Sequence, residues 1–588
     1  MKRLAQLLRN TWWLTKPYFT SEDRWAAIGL LALLVGLNLG SVYLNVLFTE
    51  WNNLFYTALQ KKDWPVFIHQ LLRFSWLAAL FIVAAVYQIY FNQMLQIRWR
   101  KWLTRRYLDL WLDRRAYYRM QLANGTTDNP DQRISDDLRL FVGQTLTLSL
   151  GLMSAVVTLV SFLGMLWFLS GAFSFTLFGR EMTIPGYMVW FALGYAVVGT
   201  WLTNLVGRKL IRLNFDQQRY EADFRFSLIR VRENADAIAL DAGEPNEKRG
   251  LLERFTSVVG NWWAIMRAQK QLTWLTAGYN QIAIIFPFVV ASPGYFSGKF
   301  ELGILMQTAS AFGQVQSSLS YIVNAYTELA SWAAVVDRLS QFHEVTETAN
   351  KVTGGLAITR SDQPGVSLDN VTIDLPGATP LLSAAHLDLA PGRSTLVTGP
   401  SGSGKSTLFR ALAGIWPFGS GTVRIPAEAR VMFLPQRPYL PLGTLREVLT
   451  YPQGPDGVSD DRLREILRLC RLPDLATRLD ESRHWAMTLS PGEQQRVAFA
   501  RVFLQKPDWL FVDEATAQLD EATERELYGR VAHELPRTTV VSIGHRSTLR
   551  AFHTDHVAIE KEPGALRGQV VRDTAAASGA VTANGLPA

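Results

Sequence analysis

The chain has 588 residues, of which 48% are hydrophobic and 19% charged, with 19 Trp and a formal net charge of +8. So apolar a composition with a single cysteine excludes an intrinsically disordered chain and a disulfide scaffold. A mean hydropathy of +0.06 is too high for an ordinary soluble enzyme and too low for a chain wholly within a membrane, so it predicts a membrane part joined to a soluble part.

Crossing a bilayer takes about 20 consecutive apolar residues. Six charge-free runs qualify, at residues 25–49, 74–97, 140–179, 182–207, 271–298 and 302–327. The end of the third run, SGAFSFTLFG, is rich in Gly and Ser. It predicts one span over 140–168 followed by an interfacial turn, and the fifth span is placed at 271–296. The membrane domain then covers residues 1–343. The first 24 residues carry five Lys or Arg, residues 98–139 ten and residues 208–270 twelve, against three, one and one in the other connections. Basic residues are retained on the cytoplasmic side, so the N terminus and the two long connections are predicted to be cytoplasmic. This distribution accounts for the positive charge without a nucleic-acid partner. No cleavable signal peptide is visible, since the first apolar run begins at Trp25 and is too long for one. Stretches such as WRKWLTRRYLDLWLDRRAYYRM read as helices continuing the spans into the cytoplasm.

The spans contain no Asp, Glu, Lys, Arg or His. A proton relay through a membrane needs such groups, so the energy source lies elsewhere in the chain. Gln144, Thr145, Thr147, Asn280, Gln281, Gln307, Gln314, Gln316, Ser317 and Ser318 give spans three, five and six a polar stripe. A water-filled cavity and helix–helix packing both suit such a stripe.

Residues 344–366 are polar and read as a linker, residues 367–573 as an α/β nucleotide-binding domain, and residues 574–588 (TAAASGAVTANGLPA) as a disordered tail. The segment GPSGSGKST, residues 399–407, fits G-x-x-x-x-G-K-[ST], follows an apolar strand and opens a helix. In this motif Gly399, Pro400, Ser401, Gly402, Ser403, Gly404 and Thr407 form a loop whose backbone N–H groups cradle phosphates. Lys405 reaches the β- and γ-phosphates and the Ser406 hydroxyl is a magnesium ligand. A second strand ends in LFVDE. Asp513 is placed to hold magnesium through water, and Glu514 to orient or deprotonate an attacking water. Cys470, in the charged helical pattern DRLREILRLC, reads as a structural thiol.

The segment LSPGEQQRVAFAR, residues 489–501, resembles the signature of ATP-binding cassette proteins. Gln436 in FLPQRPYL, Asp520 in TAQLD and His545 in SIGHR are similar to the family's Q-loop, D-loop and switch histidine. The resemblance covers residues 367–572. It implies ATP and Mg2+ as ligands, Gln436 and His545 acting beside Glu514, Gln436 also near the metal, and Asp520 at the nucleotide. It further implies a head-to-tail homodimer in which Ser490, Gly492 and Glu493 of one chain complete the site built on the partner's phosphate loop. Two departures stand out. Pro491 replaces the usual second glycine of the signature, and VTIDLPG offers Leu375 and Pro376 where an aromatic usually stacks on adenine.

Six spans followed by one cassette resemble a half-transporter of the exporter-type fold. WLTKPYFTSEDRW, NPDQRISDDLRLF and RENADAIALDAGE look like the group that joins SbmA/BacA-like peptide-uptake proteins to peroxisomal acyl-CoA transporters. The fold class expected is therefore an α-helical membrane domain fused to an α/β P-loop domain, sited in a bacterial inner membrane in contact with lipid. The activity implied is ATP-driven alternating access that moves peptides or other bulky hydrophilic solutes, with import favoured. An exporter of similar solutes, and a carrier of fatty acyl-CoA or another lipid-like substrate, are the alternatives. A channel or sensor that binds ATP without pumping is opposed by the intact Glu514 and His545.

Overall fold

Runs of Leu, Ala, Val and Phe without a charge satisfy their backbone in lipid only as helices, and the first half of the chain is helical. The computed structural model describes residues 2–123, 129–177, 180–351, 355–377, 379–560 and 567–572. By its internal contacts the chain divides into two units. One holds Met1–Leu110 and Asp128–Glu344, the other Trp111–Thr127 and Val345–Ala588.

The first unit contains α1 (Lys2–Phe19), α2 (Arg24–Lys61), α3 (Trp64–Leu112), α4 (Leu138–Ser170), α5 (Tyr187–Glu233), α6 (Glu244–Phe296), α7 (Leu302–Asn324) and α8 (Tyr326–Lys351). Helices α3, α5 and α6 have 49, 47 and 53 residues. At about 1.5 Å per residue they are roughly 70–80 Å long, more than twice the ~30 Å of a hydrocarbon layer. The expected continuation of the spans beyond the bilayer follows from that length.

Among the described residues, five helical stretches are long and apolar enough to cross a membrane, Arg24–Lys61, Trp64–Leu122, Pro130–Ser170, Tyr187–Glu233 and Glu244–Phe296. They contain the first five expected spans, with one correction. Residues 182–185 belong to a strand, β2 (Arg180–Pro185), paired antiparallel with β1 (Ala172–Leu177). Pro185 and the positive φ of Gly186 (61°) end that strand before α5 can begin. Where the sequence predicts a turn after the third span, the chain forms this pair of strands. The sixth expected span, 302–327, contains α7 but is not among the five. Gln307, Gln314 and Gln316 dilute its hydropathy, and the chain breaks at Ala325 before α8.

The core of this unit forms where α4, α5, α6 and α7 meet, around Phe162, Leu166, Met188, Ala192, Ala291, Phe312 and Val315. Large apolar side chains elsewhere point outward, among them Trp76, Ile82, Val86, Ile89, Trp201 and Ile285, the reverse of a water-soluble protein's surface. Much of the polar stripe packs between helices. Gln307 is buried and accepts from Asn53 Nδ2 at 2.8 Å, Thr145 accepts from Trp332 Nε1 at 2.9 Å, and Gln144 donates to Ser331 at 3.2 Å. At the start of α4 a π-helical turn, Arg133–Asp137, buries Asp137. Its carboxylate receives Arg338 Nη2 at 2.6 Å, Arg338 Nε at 2.9 Å and Arg133 Nη1 at 2.9 Å, a bidentate pairing that offsets the burial.

The second unit contains a ten-stranded mixed sheet. Its strands are β3 (Gly355–Ser361), β4 (Val366–Leu375), β5 (Thr379–Leu389), β6 (Thr395–Thr398), β7 (Gly419–Pro426), β8 (Val431–Leu434), β9 (Trp509–Asp513), β10 (Thr539–Ile543), β11 (Asp555–Glu560) and β12 (Gly568–Arg572), in the order β3-β7-β4-β5-β12-β11-β6-β10-β9-β8. From β11 to β8 neighbouring strands run parallel, and β9 and β10 are almost wholly buried. Helices α9 (Lys405–Leu412), α10 (Pro491–Gln505) and α11 (Glu521–Glu534) pack with this sheet. The expected linker at 344–366 is corrected here. Helix α8 runs on to Lys351, and β3 pairs with β7 over Gly355–Ser361. A helix end of mixed burial and an exposed edge strand share a linker's polar composition. The expected tail at 574–588 lies outside the described residues.

Behind β10 a buried chain of hydrogen bonds runs from Tyr528 Oη to Ser542 Oγ (3.0 Å), from Ser542 Oγ to His553 Nε2 (2.9 Å), and from His553 Nδ1 to the Leu549 carbonyl (2.8 Å). The carbonyl can only accept, so Nδ1 carries the proton and neutral Nε2 accepts from Ser542. Burial pushes the His553 pKa down to about 4. The unfolded chain therefore binds the extra proton first, and stability present above pH ~6.5 is lost as the pH falls toward 4, by up to about 3 kcal/mol. Thermal unfolding of the cassette between pH 7.5 and 4.5 is expected to show this loss, and His553→Gln is expected to flatten it.

Candidate functional site

Three parallel strands end side by side, and each releases a loop at its carboxyl end, where open α/β sheets place their ligands. Strand β6 leads into the phosphate-type loop. Gly399, Gly402 and Gly404 there have φ of +151°, +78° and +97°, values that favour glycine. A Cβ on Gly399 would also meet the Ile559 carbonyl oxygen at 2.9 Å. Ser403 N donates to Pro400 O at 3.3 Å, which tightens the loop, and Ser403 Oγ is buried without a hydrogen-bond partner. Ser401 and Gly402 face solvent and Thr407 lies half-buried on α9. Lys405 is buried and its Nζ donates to the Gly399 and Pro400 carbonyls, both at 2.9 Å. Burial lowers its pKa, and the Glu514 and Asp513 charges partly counter that.

Strand β9 delivers Asp513 and Glu514. Asp513 accepts from Ser406 Oγ at 2.9 Å, and burial raises its pKa. Glu514 sits in left-handed backbone geometry (φ 49°), a conformation that costs about 1–3 kcal/mol outside glycine. Its N–H donates to the Ile543 carbonyl at 3.1 Å. Its carboxylate meets Gln436 Nε2 at 3.1 Å and His545 Nε2 at 3.1 Å. So Lys405, Ser406, Gln436, Asp513, Glu514 and His545 come together, as their motifs predict. A cavity of about 380 Å³ beside them is lined by Ser406, Phe409, Arg410, Gln436, Arg437 and Asp513, among others.

The other expected site residues stand elsewhere in this chain. Ser490 is the N-cap of α10, and its N and Oγ donate to Glu493 Oε2 at 2.8 and 2.7 Å while Glu493 N donates back at 3.3 Å. This is a reciprocal capping box, and it lowers the Glu493 pKa. Pro491 is the first helical residue, where its missing N–H and fixed φ are harmless. Gly492 lies against the Gln518 carbonyl. Asp520 caps α11, accepting from Thr523 N and Oγ1, each at 2.8 Å. Among the described residues no hydrogen bond joins Ser490, Gly492, Glu493 or Asp520 to the glycine-rich loop.

Sequence reasoning missed Gln495, Glu524 and Arg546. Gln495 is buried, donates to the Gln436 carbonyl at 3.3 Å and accepts from Gln518 N at 3.2 Å. Its place in GEQQR, on the inward side of α10, was the available signal. The thiol of Cys470 is buried and pushed up to about 12, in keeping with a structural part. Arg115, which belongs to this unit, donates to the Ala413 carbonyl at 3.3 Å at the end of α9.

Comparison with known proteins bears on both units. The family profile described as ABC transporter transmembrane region 2 matches residues 14–296, and the one described as ABC transporter matches residues 382–517. An uncharacterized ABC transporter ATP-binding protein of Synechocystis is 38% identical, over 92% of this chain and 81% of that one. The inner membrane ABC transporter ATP-binding protein YddA of Escherichia coli is 34% identical, over 92% and 96%. The human lysosomal cobalamin transporter ABCD4 is 32% identical, over 78% and 80%. A solved structure of a bacterial Atm1-family ABC exporter with ATP bound superposes with a TM-score of 0.72 at 17% identity, over 91% of this chain and 93% of that one.

Because Pro491 only opens α10 and the capping box is made by its neighbours, restoring glycine there alters little. ATP hydrolysis by Pro491→Gly is expected to stay within about fivefold of the parent, the factor that corresponds to the upper end of the usual 0.4–1 kcal/mol of such exchanges. A steady-state phosphate-release assay reads it.

Proposed function

Since the chain belongs to the ABC transporters and is an ATP-hydrolysing half-transporter with the exporter-type fold, we propose that two copies form the working unit and import a bulky hydrophilic solute, peptides foremost, across a bacterial inner membrane. The observation that carries the ATP side is the joint hold of Gln436 and His545 on Glu514, next to the Ser406–Asp513 pair.

In this reading the loop N–H groups and Lys405 bind the β- and γ-phosphates of ATP. Lys405 then exchanges the Gly399 and Pro400 carbonyls for phosphate oxygens. Ser406, Asp513 and the Gln436 side-chain oxygen are hard oxygen donors suited to Mg2+, which keeps its remaining positions for phosphate and water. When bound, that ion neutralises charge on the phosphates. Glu514 orients the attacking water and takes its proton, and His545 holds Glu514 on one side while Gln436 holds it on the other. Ser490, the Gly492 N–H and the α10 N-terminus reach the γ-phosphate of the partner copy's site, with Glu493 and Asp520 beside it. This assignment accounts for a signature that makes no hydrogen bond to its own chain's loop.

The N terminus and cassette are cytoplasmic in this proposal, as the Lys and Arg distribution requires. A relative named as a cobalamin transporter supports a bulky polar cargo. The lack of Lys or Arg in the six apolar runs speaks against acyl-CoA, whose phosphates call for basic partners.

Two outcomes test the proposal. Glu514→Gln preserves the shape of the side chain while removing its basicity, so hydrolysis is expected to fall by roughly 10²-fold or more with ATP binding retained. Near-parental hydrolysis would overturn the role of Glu514. In proteoliposomes whose cassettes face outward, ATP is expected to drive a preloaded labelled cationic peptide out of the lumen. ATP-driven uptake instead would mean export, and no flux in either direction would favour the acyl-CoA reading.

A further inference from the structure

The loop after Glu514 is gripped from two sides. On one side lies Gln495, bonded to the Gln436 carbonyl and the Gln518 N–H. On the other lies Arg546, the residue after His545. Its guanidinium donates through Nη1 to the Leu519 carbonyl at 2.8 Å and through Nη2 to the Ala517 carbonyl at 3.2 Å. The same group lies 3.6 Å from Glu524 Oε2. Glu524 is 1% exposed, and its carboxylate also accepts from Thr516 Oγ1 at 2.5 Å and Thr548 Oγ1 at 3.0 Å. One buried acid thus ties residue 516 of the first loop to residues 546 and 548 of the second.

We propose that Arg546 is a positioning residue for ATP hydrolysis, fixing the loop of residues 515–520 to the loop that carries His545 so that the imidazole stays on Glu514. The connections close a ring. Strand β9 leads to Glu514, the chain continues to Ala517 and Leu519, Arg546 holds both carbonyls, and His545 returns to the Glu514 carboxylate at 3.1 Å. His545 is about half exposed, so its own packing does not set its direction and the anchored neighbour does. The fork of an arginine spans two carbonyls two residues apart; a lysine ammonium has no such geometry. Leu519 is also the residue before Asp520, so this side chain gives a displacement of Asp520 a direct route to the residue beside His545.

The inference rests on the roles given above to Glu514 and His545, and the test separates the two. Full-length protein in lipid nanodiscs is prepared with Arg546→Met or Arg546→Lys, each in the parent and in a His545→Ala background. Single-turnover and steady-state hydrolysis are measured together with thermal unfolding. In the parent, Arg546→Met is expected to lower kcat about tenfold to a hundredfold, the size of a positional loss. KM for ATP should change little. The unfolding temperature should fall alike in both backgrounds, because the buried Glu524 loses its facing cation, and Arg546→Lys, which keeps that charge, should recover stability and part of the rate. In the His545→Ala background neither change should lower the rate further, because groups that act as a unit are non-additive. An equal fold-loss in both backgrounds overturns the proposal, and so does a raised KM with unchanged kcat. Near-parental hydrolysis by His545→Ala alone would instead overturn the reading of His545.

Discussion

The cassette is organised around one carboxylate. Glu514 stands in strained left-handed backbone at the end of a buried strand, and a neighbouring strand end and two loops converge on it. Its N–H is held by the end of β10, its oxygens by Gln436 and His545. The parallel register that sets Asp513 beside Ile543 makes this possible, because it aligns the ends of β9 and β10. A shift of one residue would turn Asp513 and Glu514 to opposite faces. The apolar strands WLFVD and TVVSI, packed on both faces, are therefore what aims the chemistry. The positive-φ glycines beside them bring backbone N–H groups to the same point.

The membrane unit obeys the opposite solvent rule. Apolar side chains cover much of its outside, while some of its polar groups are turned inward and bonded between helices, as with Gln307 and Asn53 or Thr145 and Trp332. Helices about 70–80 Å long exceed the bilayer by more than half of their length, and their excess carries the basic residues. The one fully buried carboxylate of the NPDQRISDDLRLF stretch, Asp137, is matched by Arg338 of α8. Helix α8 is thus tied, within the first unit, to the start of α4.

Much of this was legible in the sequence, for reasons that differ from place to place. The glycine-rich loop, Asp513, Glu514, Gln436 and His545 could be read because each chemical role admits few residue types at a set spacing. The first five spans could be read because lipid leaves few alternatives to a long apolar helix. Composition failed where two structures share it. A helix end of mixed burial and an edge strand carry a linker's polar composition over 344–366, and residues 182–185 carry a span's apolar composition although a Pro-Gly pair ends a strand there. Gln495, Glu524 and Arg546 are not legible because most of their partners lie 22 to 59 residues away in sequence, and those of Gln495 and the two carbonyls held by Arg546 are backbone atoms that no motif marks.

In the proposed dimer the signature of one chain completes the ATP site of another. In this chain Ser490 and Glu493 bond to each other and not to the loop that holds Lys405, so that contact is one between copies. Chains with Ser401→Cys are mixed with chains carrying Ser490→Cys, both in the Glu514→Gln background, and exposed to a mild oxidant. Cys470, fully buried, offers no competing surface thiol. The account expects a covalent dimer that forms in the mixture when ATP and Mg2+ are added, and not in either preparation alone. A mixture that stays monomeric with ATP, or a dimer formed equally by the separate preparations, would contradict it.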